Sequence, residues 1–465
     1  MKSLSRRSFA RNATAAAGAA AFGFQVVPSR VFGANERPAV AGIGSGGKGV
    51  ADIGGSAKAG CEIVGLVDVV DIERMGEVAG RFSGLKKTRE AHPDAKFYTD
   101  YHDMLADLGD KVDGVTVSTP DHHHFHASIA AMKAGKAVYC QKPLTHGIWE
   151  ARMLTELAAK TGVATQMGNQ AHANDHLRRV SELIRAGIIG KIKEIHAWTN
   201  RPIWPQGFDA PPPAEEAPKW LDWEQWIGPA PFVEYSSKIA PFAWRGWWDY
   251  GTGAMGDMAC HIMNMPVWAA ELGAPTAVSA KQEGATALSP PINSTVTYEF
   301  GKEDVKFVWY DGQKGAKFER EGWKFHKGDY NRPDDKILEG VDYNRYESVI
   351  IGEKGKLFFA RKSDTWFVKP TNVVEGFEWP AQTIPRTRGA YDEWVDAIKG
   401  VIRRAESGFH SSGPFTETVL IGTLAQRVPD TRLEWDAEKM EVKGKPELKK
   451  YIQREYRSGW EVDLG

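Results

Sequence analysis

The chain has 465 residues, with 59 Lys and Arg against 60 Asp and Glu for a formal charge of −1, and 42% apolar residues including 17 Trp. That length gives room for two or three domains, at roughly 150 residues each. The balanced charge supplies no broad basic surface for nucleic acid, and beyond the N-terminus no run of 18 or more apolar residues is available to span a membrane in the mature chain. Cys61, Cys140 and Cys260 form no CxxC pair and no even-numbered framework, so they read as small buried residues.

Residues 1–34 carry Lys2, Arg6, Arg7, Arg11 and Arg30 and no acidic residue, with Ser5-Arg6-Arg7-Ser8-Phe9 ahead of a weakly hydrophobic, Ala- and Gly-rich run from 13 to 24. Adjacent arginines before a mild apolar core are the features of a twin-arginine export signal. The mature protein is therefore expected in the periplasm or another extracytoplasmic space, exported folded. Loss of residues 1–34 removes five basic groups and leaves a formal charge of −6.

Residues 35–165 read as a doubly wound parallel α/β domain of the Rossmann type. A short apolar strand over 37–43 runs into Gly42-Ile43-Gly44-Ser45-Gly46-Gly47, followed by Lys48 and a helix from 49; a second strand over 62–67 ends in Asp68, 21 residues after Gly47. Gly42, Gly44 and Gly47 allow backbone amides to approach a pyrophosphate at a helix N-terminus, and a carboxylate ending the second strand accepts both ribose hydroxyls. Asp68 would repel a 2′-phosphate, so NAD is expected in preference to NADP. The alternation continues with strands over 112–119 and 137–140 and helices over 126–134 and 148–160. The turns Thr119-Pro120-Asp121 and Gln141-Lys142-Pro143 fall at carboxyl ends of strands, where ligands of such sheets bind.

Over 166–465 the pattern changes to strands at 192–198, 276–282, 294–300, 304–309, 347–351 and 356–360, which predict an α+β domain with a large, mostly antiparallel, open-faced sheet. The Pro- and Trp-rich stretch 200–236 reads as a lid or wall over the site. Nine of the 17 Trp lie between 198 and 268. Aromatic faces suit an apolar sugar face, and two or three of these Trp are expected to touch substrate. Arg245, Trp248 and His172 are the substrate-side candidates. Helices follow over 391–399 and 415–428, and the charged tail from Glu434 is expected to wrap a surface or a partner subunit.

Oxidation of a carbinol requires an acceptor for the hydroxyl proton as the hydride leaves. Lys142 is one candidate. Asp257 and His261, four apart, share one face of a helix behind the flexible Gly251-Thr252-Gly253 approach, and make a second. The base is either Lys142 or His261; Asp257 fixes the imidazole tautomer or binds a neighbouring sugar hydroxyl. His122, His123, His124 and His126, and the pair His172 and His176, have spacings zinc can use, but no HExxH or CxxC accompanies them and no metal is expected. His124 is expected on the nicotinamide pocket.

The glycine loop, Thr119-Pro120-Asp121-x-x-His124, Gln141-Lys142-Pro143 and Asp257-Met258-Ala259-Cys260-His261, in that order over residues 38–430, resemble the glucose-fructose oxidoreductase and inositol dehydrogenase (Gfo/Idh/MocA) family. The resemblance implies catalytic Lys142, Asp257 and His261, and cofactor contacts from Gly42, Gly44, Gly47, Lys48, Asp68, Thr119, Pro120, His124 and Gln141. It also implies a twin-arginine-exported branch with tightly held NAD acting on a secondary hydroxyl of a sugar, polyol or glycoside. Two positions depart from the family pattern: Gln141 stands where Glu is usual and Asp121 where Asn is common. The other readings are an NAD-dependent glycoside hydrolase working by transient oxidation and elimination, and a non-catalytic carbohydrate-binding protein. A homo-oligomer is expected.

Overall fold

Strand and helix alternate through the first half of the chain, and the strands assemble into one parallel sheet. The structure, a computed structural model, describes residues 36–75, 84–301, 304–319 and 324–464; the export signal read at 1–34 lies outside the described residues. Strands β1 (Ala39–Ile43), β2 (Glu62–Val67), β3 (Lys96–Tyr98), β4 (Gly114–Val117), β5 (Ala137–Cys140) and β6 (Thr165–Met167) pair in the order β3-β2-β1-β4-β5-β6. Every pairing is parallel. β1, β4 and β5 are buried along their whole length, which explains their continuous apolar runs. The strand order reverses between β1 and β4, and a crevice opens there at the carboxyl ends. Three helices bear on it: α1 (Gly49–Lys58), α2 (His124–Lys133) and α3 (Ile148–Thr161).

After α4 (Asp175–Arg185) the chain builds a second sheet. Its strands are β7 (Ile192–Trp198), β8 (Ala277–Glu283), β9 (Asn293–Phe300), β10 (Val305–Lys314), β13 (Asp329–Tyr330), β14 (Ser348–Gly352), β15 (Lys356–Ala360), β16 (Thr365–Lys369), β17 (Leu433–Asp436) and β18 (Glu441–Val442). They run β16-β15-β14-β7-β10-β9-β8-β17-β18, with β13 beside β10; β11 (Lys317–Glu319) and β12 (Lys324–His326) make a separate hairpin. Only the β7 and β10 pair is parallel among these pairings, so the sheet is mostly antiparallel, as its alternation predicts. β9 shows that alternation plainly, every second residue being fully buried from Ser294 to Phe300.

Two late segments tie the domains together. Helix α6 (Ala390–Ile398), after α5 (Asn264–Ala270) in the chain, returns to the first domain, where Ala390, Trp394, Val395 and Ile398 join a core with Val40, Ile53 and Tyr139. Helix α7 (Phe409–Arg427) starts six residues before the predicted 415 and runs through Pro414. Close packing against α3, where a Cβ on Gly413 would lie 1.8 Å from Thr155 Oγ1, overrides the local preference for a break. The tail wraps the chain's own first domain: Arg454 and Tyr456 both reach Glu150 of α3 at 2.9 Å, and Arg454 donates to His122 O at 2.8 Å. No helix among the described residues is long and apolar enough to cross a membrane.

Candidate active site

A cavity of about 390 Å³ lies at the β1 and β4 reversal, between the parallel sheet and residues of the second domain. The loop after β1 enters it as a tight turn. Gly44 has φ +79°, and a Cβ there would sit 2.8 Å from the Ser118 carbonyl carbon, so the two strand-end turns meet backbone to backbone. Gly49, unmarked by the sequence pattern, is as demanding: its Cβ would be 1.9 Å from Gly44 O, so it is this glycine that seats α1 against the loop. Gly42 lies on β1 beneath Ile53, and Gly47 (φ +48°) has open space around it. At the end of β2, Asp68 Oδ2 accepts from Gly46 N at 2.9 Å, and burial pushes its carboxyl up to about 6. That puts an acidic group beside the loop, on the wall where a ribose would lie.

Lys48 and Gln141 line the cavity, but their polar ends converge on Asp52 of α1. Asp52 is fully buried and accepts from Lys48 Nζ (2.6 Å), Gln141 Nε2 (2.9 and 3.0 Å), Ser118 Oγ (2.7 Å) and Tyr391 OH (2.7 Å). The amide at 141 is thereby accounted for: a buried carboxylate needs donors, which Gln supplies and an ionised Glu cannot. Asp52 was not legible from spacing, because its partners come from four separate stretches of chain.

On the second-domain side a single π-helical turn, Met255–Ala259, carries Asp257 and leads into Cys260–Ile262, which carries His261; of the two, His261 lines the cavity. Lys142 Nζ donates to Asp257 Oδ1 at 2.6 Å and to Asp257 O at 3.0 Å. The Asp257 carboxyl is held well below the usual carboxylate range: burial alone would raise it, but the Lys142 and Arg245 cations outweigh that. Asp257 is therefore turned towards the Lys142 and Arg245 cations rather than towards His261, so the expected tautomer-fixing hydrogen bond is not made among the described residues. His261 lines the cavity; burial and the nearby Lys142 charge push it well below 6.5, so it is a neutral imidazole at pH 7. Its Nδ1 is buried without a partner among the described residues, as is Thr119 Oγ1 on the facing turn. Orphaned polar atoms on a glycine-cradled cavity fit a polar dinucleotide and its substrate.

His124 also lines the cavity, its Nδ1 2.7 Å from Pro143 O and its Nε2 2.9 Å from Thr119 O, so it clamps the two turns beside Pro120. The neighbouring histidines are joints of the fold. His122 and His123 contact Trp226 O at 3.0 and 2.9 Å, and His126 contacts Trp460 O at 3.0 Å. Burial brings His123 to about 3 and His126 to about 4, so both are neutral. No group of three or more potential metal ligands is arranged to hold an ion among the described residues.

Of the substrate-side candidates, Arg245 lines the cavity, while Trp248 and His172 stand outside its lining. Trp248 donates its indole N–H to Thr286 O at 3.1 Å under the Arg427 guanidinium, and His172 bonds Asn264 Oδ1 at 2.7 Å beside Trp268. Trp248 is engaged in packing, while His172 keeps a buried Nε2 without a partner among the described residues. Trp226 and Trp244 are the indoles on the cavity wall, which spacing alone did not single out. The 200–236 stretch does form a wall. Val70 bridges Leu221, Asp222 N donates to Val69 O at 2.9 Å and Asp71 N to Trp220 O at 2.7 Å. Leu221, Trp223 and Trp226 share a core with Val70 and Leu85 of the first domain. The stretch is thus stitched to the end of β2, beside Asp68.

Fold and site together define a two-domain protein built on a Rossmann sheet of the dinucleotide-binding type. Residues 37–169 match the Gfo/Idh/MocA "oxidoreductase family, NAD-binding Rossmann fold", and residues 176–303 match the same family's C-terminal alpha/beta domain. The two matches span more than half of the chain, and the chain belongs to this family. It is 32% identical to scyllo-inositol 2-dehydrogenase (NAD(+)) of Bacillus subtilis over 123 residues, 26% of this chain and 32% of that protein. With D-xylose 1-dehydrogenase (NADP(+)) of Hypocrea jecorina it shares 33% over 131 residues, 28% of this chain and 31% of the relative. The alignments span about a third of the length of the curated relatives. The WlbA dehydrogenase of Bordetella pertussis, solved with NADH and UDP-GlcNAcA, superimposes with a TM-score of 0.58 at 17% identity over 86% of this chain and 99% of that one, a likeness of fold.

Proposed function

We propose that this chain is an exported, NAD-dependent oxidoreductase acting on a secondary hydroxyl of a sugar, polyol or glycoside, with its cofactor retained between turnovers. The observation that carries the reading is that Lys142 and His261 line the cavity that also holds the glycine loop and Asp68, with Asp257 paired to Lys142 at 2.6 Å behind the lining. Glycine loop and Asp68 would hold NAD, which when bound supplies the hydride acceptor. Neutral His261 is the group able to take the hydroxyl proton at pH 7, and the Lys142 ammonium, braced by Asp257, is placed to stabilise the developing alkoxide. Trp226 and Trp244 add apolar surface to the cavity lining. The stitched 200–236 wall over the β2 end supports retention of the cofactor.

That same wall favours a second reading, glycoside hydrolysis by transient oxidation, elimination and re-reduction, because a retained cofactor suits a cycle with no net redox change. Incubation of purified protein with aryl glycosides, following absorbance at 340 nm and aglycone release, separates the two. Net reduction supports the dehydrogenase and aglycone without reduction the hydrolase. Export rests on residues 1–34; replacing Arg6 and Arg7 by Lys should hold the precursor in the cytoplasm. A homo-oligomer completes the reading, and light scattering on the purified protein tests it.

A further inference from the structure

Four charged side chains form an alternating row: Asp121, Arg245 and Lys142 line the cavity, and Asp257, outside the lining, joins the last two. Asp121, 1% exposed, accepts from Arg245 Nη1 with both oxygens, at 2.9 and 3.0 Å. Its Oδ2 also accepts from Thr252 Oγ1 at 2.7 Å and Thr252 N at 3.2 Å, so the carboxylate is fixed from two sides. Arg245 Nε then lies 3.4 Å from Asp257 Oδ1, the same oxygen that Lys142 Nζ touches at 2.6 Å. Trp244 covers the guanidinium at 4.3 Å, and Gly251 packs against the Arg245 backbone so closely that a Cβ there would be 2.5 Å from Arg245 Cα. The first and last members of the row come from the turns after β4 and β5, and the middle two from the second domain.

We propose that Asp121 and Arg245 act as a positioning pair that sets how tightly Lys142 holds its proton, by dividing the Asp257 carboxylate between two cations. Arg245 draws on the oxygen that binds Lys142, and Asp121 limits how much of the Arg245 charge reaches it. This rests on and deepens the dehydrogenase reading, in which the Lys142 ammonium faces the developing alkoxide. The other groups around this row are His261, neutral; His124, beside Asp121 and Arg245; and the Cys260 thiol, which burial pushes up to about 12. Lys48 and Arg361 act on the row through the His261 side. None of these groups supplies a second carboxylate to Lys142.

The pair makes predictions of opposite sign. Lys142 Nζ and Arg245 Nε share one oxygen, so they lie within about 6 Å of each other. At that range, in partly buried surroundings, removing one charge moves a neighbour's titration by about 1–2 pH units. R245Q should raise the Lys142 midpoint by that amount, and D121N should lower it by about 1 unit. D121N/R245Q, which removes a neutral pair, should fall between the two single variants, within about 1 unit of wild type, and R245K should keep the wild-type midpoint. The midpoint is read by competitive trace labelling of the protein as purified with isotopic acetic anhydride between pH 6 and 11, with Lys142 quantified by mass spectrometry. This needs no substrate and no turnover, so its outcome is separable from that of the redox reading. Shifts of the same sign in R245Q and D121N, or no shift, would overturn the proposal, as would a wild-type Lys142 that does not label at any pH. Should R245Q fail to fold, the downward shift of D121N and the unshifted R245K decide it.

Discussion

Gln141→Glu sets a second carboxylate against Asp52. The amide nitrogen of Gln141 lies 2.9 and 3.0 Å from the two Asp52 oxygens, and both residues are buried, Asp52 completely and Gln141 to 4% exposure. Two ionised carboxylates about 3 Å apart repel by about 5–6 kcal/mol at an effective dielectric constant near 20. Keeping a glutamic acid protonated at pH 7 costs less, about 3.7 kcal/mol from its reference pKa of about 4.3, so the pair takes up a proton instead. The folded-state pKa of the new acid is then raised above its unfolded value. Its stability is intact below about pH 4.3 and is lost as pH rises, at about 1.4 kcal/mol per pH unit. The variant is therefore expected to lose about 3–4 kcal/mol at pH 7 and to recover about 1.4 kcal/mol by pH 6 and about 2.7 by pH 5, read from urea midpoints by Trp fluorescence. Adding Asp52→Asn restores a donor opposite the new carboxylate and should abolish the pH slope. A Gln141→Glu protein with the wild-type midpoint at pH 7 and no slope refutes the account of Asp52 as a donor-hungry hub.

Lys142→Met and His261→Ala should each abolish turnover while leaving extractable NAD at wild-type stoichiometry, measured by chromatography of the released nucleotide; a near-normal rate in either removes that residue from the chemistry. Asp68→Ala should weaken NAD and admit NADP, by titration calorimetry. In the wild type NAD binding should weaken as pH falls below about 6, where the raised Asp68 carboxyl takes up its proton and loses an acceptor for ribose hydroxyls. Leu221→Asp puts a charge into the seam between the 200–236 stretch and Val70, and should speed NAD release at least about tenfold in a chase experiment, equivalent to about 1.4 kcal/mol of seam stability.

Features set by one stretch of chain were legible in the sequence. The glycine loop, Asp68 and the continuous apolar strands follow from local geometry, whereas of the i, i+4 pair Asp257 and His261 only His261 lines the cavity, Asp257 being turned to Lys142 and Arg245 from a π-helical turn. Features made by distant stretches were not. Arg245 reads as a substrate contact until Asp121 and Asp257 are seen on either side of its guanidinium. The histidine run 122–126 has metal-like spacing, yet its partners are carbonyls of Trp226 and Trp460, more than 100 and 300 residues away. Trp248 and Trp244 are indistinguishable in a Trp-rich run, and only the packing of Arg427 over the former decides which faces the cavity.

The central claim is hydride transfer from a sugar carbon to nicotinamide in this cavity, and it is tested most directly by isotope transfer. The protein as purified is mixed with sugars and glycosides carrying deuterium at their carbinol positions, and the bound nucleotide is extracted and weighed. The expected result is bound reduced nucleotide one mass unit heavier than unlabelled NADH in wild type and no such species in His261→Ala; unlabelled nucleotide with every sugar, polyol and glycoside tested would contradict hydride transfer in this cavity.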